Sequence, residues 1–198
     1  MRRLLTLALF AALALATAAA GAQTNVRVRG TITSIDGNVL AVKSRTGEDL
    51  KIHLADNVGV AVATAIRFAD LKTGDYVGSA AMKRADGSLV ALEVHFLPPN
   101  VPAGHGPWDL EPGSTMTNAN VAAAIVQSTG ARELTLQYKD GAQKILVPEG
   151  VPIVRAVPGS RADLKPGEYV FLIAQAAPDG KLTAPRLQVS KGGVKPPQ

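Results

Sequence analysis

The sequence of 198 residues predicts an all-β protein: two copies of one small β-barrel in tandem, joined by a Pro/Gly-rich linker. Three observations carry this expectation. One nine-residue segment recurs almost unchanged later in the chain. Apolar and polar residues alternate with a period of two over most of the length. Gly-containing turn pairs interrupt that alternation at short intervals.

The repeat comes first, because it sets the domain count. Ala69-Asp70-Leu71-Lys72-Thr73-Gly74-Asp75-Tyr76-Val77 returns as Ala162-Asp163-Leu164-Lys165-Pro166-Gly167-Glu168-Tyr169-Val170, with seven of nine positions identical. The same offset carries Asp86-Gly87 onto Asp179-Gly180, Leu89 onto Leu182, Ala91 onto Ala184 and Val60 onto Ile153. Upstream the match survives only as a pattern, with a small gap. The units are therefore placed at 23–97 and 120–191, with a linker at 98–119 and a tail at 192–198.

Within the first unit Val26, Val28 and Ile32 alternate with Arg27, Arg29, Thr31 and Thr33. Asp36-Gly37-Asn38 turns the chain, Leu40 and Val42 resume the alternation, and Thr46-Gly47 turns it again before Leu50, Ile52 and Leu54. Asp86-Gly87 closes a hairpin between 76–83 and 89–97. The second unit has matching turns at Thr129-Gly130, Asp140-Gly141 and Asp179-Gly180. Gly accepts positive φ without a Cβ clash, which suits it to tight hairpins. The repeated Asp-Leu-Lys reads as one helical turn, with its Leu plugging a barrel end and the following Val pointing inward. Five short strands with one such turn before the fourth suggest a partly open barrel of OB type; a small β-sandwich is the alternative.

Three segments carry a family resemblance: Gly30-Thr31-Ile32-Thr33-Ser34-Ile35-Asp36-Gly37-Asn38, the Ala69–Val77 segment, and Asp86-Gly87-Ser88-Leu89. Together they resemble the exported bacterial domain family of unknown function DUF5666. The first unit matches along its length, the second mainly from Ala162 onward. The resemblance implies tandem OB-like barrels, an exported location and no catalytic residues. Similar sequences are sometimes labelled "metal ABC transporter permease", which implies at most a metal-related context.

The ends and the composition bound the compartment. Met1-Arg2-Arg3, an apolar Leu/Ala run from Leu4 to Ala18, and Ala20-Gly21-Ala22 together read as a cleavable signal peptide cut after Ala22. Leu4-Leu5-Thr6 fits the twin-Arg export motif poorly. The expected mature protein is periplasmic or secreted, with no membrane-spanning run after cleavage. The net charge of +5 falls to +3 once the two leading arginines are removed, too mild a balance to point to nucleic acid. With no cysteine in the chain, disulfides, thiol catalysis and a lipid-modified N-terminal Cys are excluded.

The linker holds the one tryptophan, Trp108, which is expected to pack on a barrel rather than face water. The Gly/Pro/Lys-rich tail is expected to be disordered. Two candidate sites follow. Arg27, Arg29, Lys43, Arg45 and Lys51 fall on three neighbouring strands in the outward phase, a ligand-binding face for an anionic partner. His53 and His95, with His105, Asp109 and Glu111 from the linker, form a candidate Zn²⁺ or Cu²⁺ site if the third and fifth strands of a unit are neighbours. No Ser, Thr or carboxylate sits in an activating motif, so no enzyme activity and no cofactor are expected. The expected function is an exported, non-enzymatic binding or scaffold module of the bacterial cell envelope. Its partner would be an envelope protein or an anionic envelope component. The alternative is an accessory periplasmic metal-binding protein linked to metal transport.

Overall fold

A computed structural model describes residues 24–127 and 129–197; the expected signal peptide lies outside them. In chain order the strands are β1 (Thr24–Asp36), β2 (Val39–Ser44), β3 (Asp49–Ala65), β4 (Tyr76–Lys83), β5 (Leu89–Phe96), β6 (Gly104–Pro107), β7 (Ser114–Val126), β8 (Arg132–Tyr138), β9 (Gly141–Leu146), β10 (Ile153–Pro158), β11 (Tyr169–Ala176) and β12 (Leu182–Val189). Single 3-10 turns, Phe68–Asp70 and Arg161–Asp163, precede β4 and β11. Among the described residues no helix is long and apolar enough to cross a membrane.

The alternation read from the sequence places the core. Val28, Ile32, Leu40, Val42, Ile52 and Leu54 are buried, and the residues between them face outward or pack against other elements. β1 pairs antiparallel with β2 and β11, β2 with β3, and β11 with β12. β3 then meets β12 in parallel register and closes a five-stranded barrel. The other strands form a second circuit of pairings. β4 joins β5 and β7, β7 joins β8, and β8 joins β9. β9 returns parallel to β5 at Leu89–Ile145 and Val90–Leu146. β10 lies between the two, antiparallel to β3 and parallel to β5.

This corrects the tandem arrangement. The barrel takes three strands from the first repeat and two from the second, and the other circuit takes the converse set. The physical reason lies in β3. Its 17 residues at ~3.3 Å each carry the chain about 55 Å, out of the ring where it starts. The next hairpin therefore closes on the other repeat.

The exchange follows an internal two-fold. β3 and β10 pair around Ala63–Ala156, and adding or subtracting the repeat offset of 93 residues turns the Val62–Val157 pair into Arg155–Thr64. The same offset turns Ile153–Val94 on β10–β5 into Val60–Leu187 on β3–β12. Even the bulge between Ile32 and Ser34 in β1 reappears between Val121 and Ala123 in β7.

Two further expectations change. Residues 98–119 contain regular structure: β6 runs along β7, which itself begins at Ser114. β6 tolerates Pro107 because proline, lacking an N–H, can sit on an edge strand. The tail is not free either. Pro196 and Pro197 are buried, and the Lys195 ammonium lies 4.9 Å over the Tyr169 ring.

The capping turn behaves as expected, displaced by one residue. The helical turns end at Asp70 and Asp163, and Leu71 and Leu164 follow in extended conformation. Both leucines are buried, as are Val77 and Val170. Leu71 packs in one cluster with Val121, Leu134, Leu136 and Ile145 of the second repeat, and Leu164 with Val28, Ile32 and Leu40 of the first. Each plug thus seals a core made by both repeats.

Two outcomes follow for the purified protein. Leu71→Ala and Leu164→Ala should each lower the stability of a single, shared unfolding transition by about 2–5 kcal/mol in urea melts; two separable transitions would contradict the shared cores. A protease site placed at exposed Asn100 should yield two fragments that co-elute in native size-exclusion chromatography and part only in denaturant.

Candidate functional site

The outward face of β1 and β2 carries the predicted basic cluster, and the chain itself covers much of it. The segment 108–113 between β6 and β7 forms a closed loop. Trp108 N–H donates to Ser114 O at 2.8 Å, and Ser114 N–H donates to Glu111 O at 2.9 Å. The Ser114 hydroxyl donates to Trp108 O and accepts from Glu111 N–H, both at 3.1 Å. This strap lies on β1. Arg29 donates from both terminal nitrogens to the Asp109 carboxylate, at 2.8 and 3.3 Å. Arg27 stands 3.5 Å from the same carboxylate, with its guanidinium 4.4 Å over the Trp108 ring. Arg45 donates to the Asp109 and Leu110 carbonyls at 2.7 and 2.9 Å. Trp108 therefore packs on the barrel, as expected.

The solvated basic face is corrected accordingly. Arg29 is only 4% exposed, enclosed by Trp108, Phe171 and Asp109. Lys43 pairs with Asp49 at 3.1 Å, and Lys51 is exposed. A bidentate Arg–carboxylate pair suits such burial because the planar guanidinium matches both oxygens. The Arg29 hydrogen bonds, with Arg27 adding charge, hold the Asp109 carboxyl below the usual carboxylate range. Nearby, burial pushes the Tyr169 phenol up; Arg45 and Arg29 oppose the rise and Glu93 adds to it.

The histidines stand apart. His53 is half-buried on β3 of the barrel. His95 is buried on β5 of the second circuit, its Nδ1 3.3 Å from Glu93 Oε1 without hydrogen-bond alignment. Its ring lies against Gly78, where a Cβ would stand 2.6 Å from Nε2. His105 is exposed on β6 and shares a 2.8 Å hydrogen bond with the Thr117 hydroxyl. Asp109 is taken by arginines, and Glu111 sits at the strap's end. Among the described residues no three His, Cys, Asp or Glu are placed to hold a metal ion. The exchange is the reason: β3 has β12, not β5, as its parallel neighbour, so His53 and His95 belong to different rings.

A surface groove not foreseen lies beside the β1–β2 and β11–β12 turns of the barrel. A groove of about 480 Å³ is lined by Asn38 from the β1–β2 turn, His53 and Ala55 from β3, Gln175 from β11, and Lys181 and Thr183 at the start of β12. His53, Thr183 and Gln175 form one row across three paired strands. Of these residues the sequence reading singled out only His53. The signal for the others was a difference between the copies: Lys181 aligns with Ser88, Thr183 with Val90 and Gln175 with Met82.

No family model, curated protein or solved structure matches the chain.

The strap ion pair has a pH signature. The Asp109 carboxyl titrates below its unfolded value near 3.9. Its contribution to stability is whole above that value and is lost as pH falls through the lowered folded value. Asp109→Asn should therefore flatten the fall in melting temperature as pH drops below about 4. Parallel curves for parent and variant in that window would remove the pair from the acid response.

Proposed function

We propose that the chain is an exported, non-enzymatic binding module of the bacterial cell envelope, built as two interlocked OB-like barrels of the DUF5666 kind, whose ligand is an envelope component. The strand order supports the OB-like part. β1, β2, β3, β12 and β11 pair in a ring, with one parallel contact between its third and last-in-chain strands. The quoted sequence segments support the family, and residues 1–22 support export.

The observation that carries the binding reading is the open groove. In OB-type barrels ligands lie on the face of the second and third strands, between the loop joining strands one and two and the loop joining strands four and five. Here Asn38 comes from the first of those loops, Lys181 from the second, and His53 from the strand between. The alternative basic face is covered at Arg29 by Asp109 of the same chain. Lys181 and His53 at the groove favour an anionic or strongly polar ligand over an apolar one.

The exported protein should begin at Gln23 when its N-terminus is sequenced. Purified, it should co-sediment saturably with washed bacterial envelopes, above a control protein of equal net charge. Recovery from the cytoplasm with residues 1–22 attached, or sedimentation no greater than the control, overturns the reading.

A further inference from the structure

We infer that the barrel groove binds an anionic saccharide, a hydroxylated ring bearing a carboxylate or phosphate, and that the equivalent surface of the second circuit does not. This deepens the binding-module reading and rests on it.

The chain supplies its own control. The row His53–Thr183–Gln175 on β3, β12 and β11 maps, by the repeat offset, onto Leu146–Val90–Met82 on β9, β5 and β4. Both rows pair identically: Thr183 with His53 and Gln175, Val90 with Leu146 and Met82. The flanking backbone agrees as well. Leu54 N–H donates to Asn38 O, and Val147 N–H donates to Arg132 O. The fold therefore asks the same of both surfaces. One nevertheless presents imidazole, hydroxyl, carboxamide and, at Lys181, an ammonium. The other presents Leu, Val, Met and Ser88. The polar set is not a requirement of the barrel.

The mouths differ in the same sense. Arg132 folds its guanidinium back onto the carbonyls of Val147 and Pro148. Asn38, at the equivalent position, is shorter; its amide donates to Asp56. The groove beside it stays open.

The chemistry of the row selects the ligand. Its side chains stand one strand apart, ~4.8 Å. Hydroxyl and carboxamide groups both donate and accept, which matches ring hydroxyls. Ala55 and Pro185 add apolar lining for ring C–H groups. Lys181 adds one positive charge, suited to a carboxylate or phosphate substituent. The lining has no Phe, Tyr or Trp on which a nucleobase would stack.

The test is an amide NMR titration of the mature protein with defined probes. A galacturonic acid trisaccharide should shift the resonances of His53, Ala55, Lys181 and Thr183 saturably. The neutral galactose trisaccharide should bind about 10-fold more weakly or less, the loss expected for one charge-assisted contact. Phosphatidylcholine vesicles carrying a phosphorylated glycolipid distinguish a lipid-borne sugar from a free glycan; tighter binding than the trisaccharide assigns the lipid source. The variant His53→Leu, Gln175→Met, Lys181→Ser, Thr183→Val writes the second circuit's residues into the groove. It should keep the parent melting temperature and lose binding; if it does not fold, exposed Lys181→Ser alone should weaken the acidic probe about 10-fold. Equal binding of the neutral probe, equal binding of plain phosphatidylglycerol vesicles, or shifts centred on Val90 and Leu146 overturn the inference. No shift with any probe, while envelopes still co-sediment, also overturns it and leaves the binding module standing. Loss of co-sedimentation as well overturns both.

Discussion

β3 starts in one ring and ends beside the other, and the remaining architecture depends on that crossing. Residues 49–53 complete the pairing with β2, and residues 61–65 complete the pairing with β10. Between them the strand lies beside β12, with a register shift after Leu54. Once the chain has been carried across, Leu71 can only plug the second circuit, and β4 and β5 can only pair there. The second repeat reaches the same result with its strand broken into β9 and β10 around Pro148–Pro152. The pairing geometry, rather than an unbroken strand, is thus what both copies share. Hydrophobic burial then has no boundary between repeats, since each core draws side chains from both.

Duplication frees one copy from duties the other performs. On the first barrel the β1–β2 turn has two residues, Gly37 and Asn38; its counterpart between β7 and β8 has five. The outward face of β1 buries Arg29 under the strap. That strap ties a loop of the second circuit to the barrel through one carboxylate shared by two arginines. Such a pair gains from partial exclusion of water, and its removal would leave Arg29 as an enclosed charge without its partner. Polarity is therefore distributed by position: paired charge under the strap, and a row of polar side chains along the groove.

The sequence alone exposed the all-β class, the repeat, most hairpins and the inward residues, because period-two burial and Gly turns are local signals. Leu71, Val77, Leu164 and Val170 were placed correctly for that reason. Strand exchange was not legible. A hairpin that closes its own barrel and one that closes its neighbour's present the same interface, so the repeat constrains the pairing rules without saying which copy obeys them. The histidine proposal failed through that gap, since it assumed that the third and fifth strands of one repeat adjoin. Arg27, Arg29 and Arg45 were rightly grouped on one face, but alternation cannot show that a strap 80 positions away from Arg29 will cover it. Apart from His53, the groove row was hidden because Thr183 and Gln175 are ordinary alone; only the contrast with Val90 and Met82 marks them.

The exchanged strands also set an order of events for a chain made from its N-terminus. Thr24 pairs with Ala176, and Ile52 pairs with Leu182. β1, β2 and β3 must therefore wait, with an unclosed edge and half a core, until β11 and β12 (residues 169–189) have been produced. Contacts this distant in sequence fold slowly, because the loop entropy is lost before the pairing compensates for it. A nascent first repeat is in effect an open sheet with a free parallel edge at β3. Its natural complement, β11–β12, arrives more than 100 residues after β3, and the corresponding hairpin of another nascent copy offers the same edge.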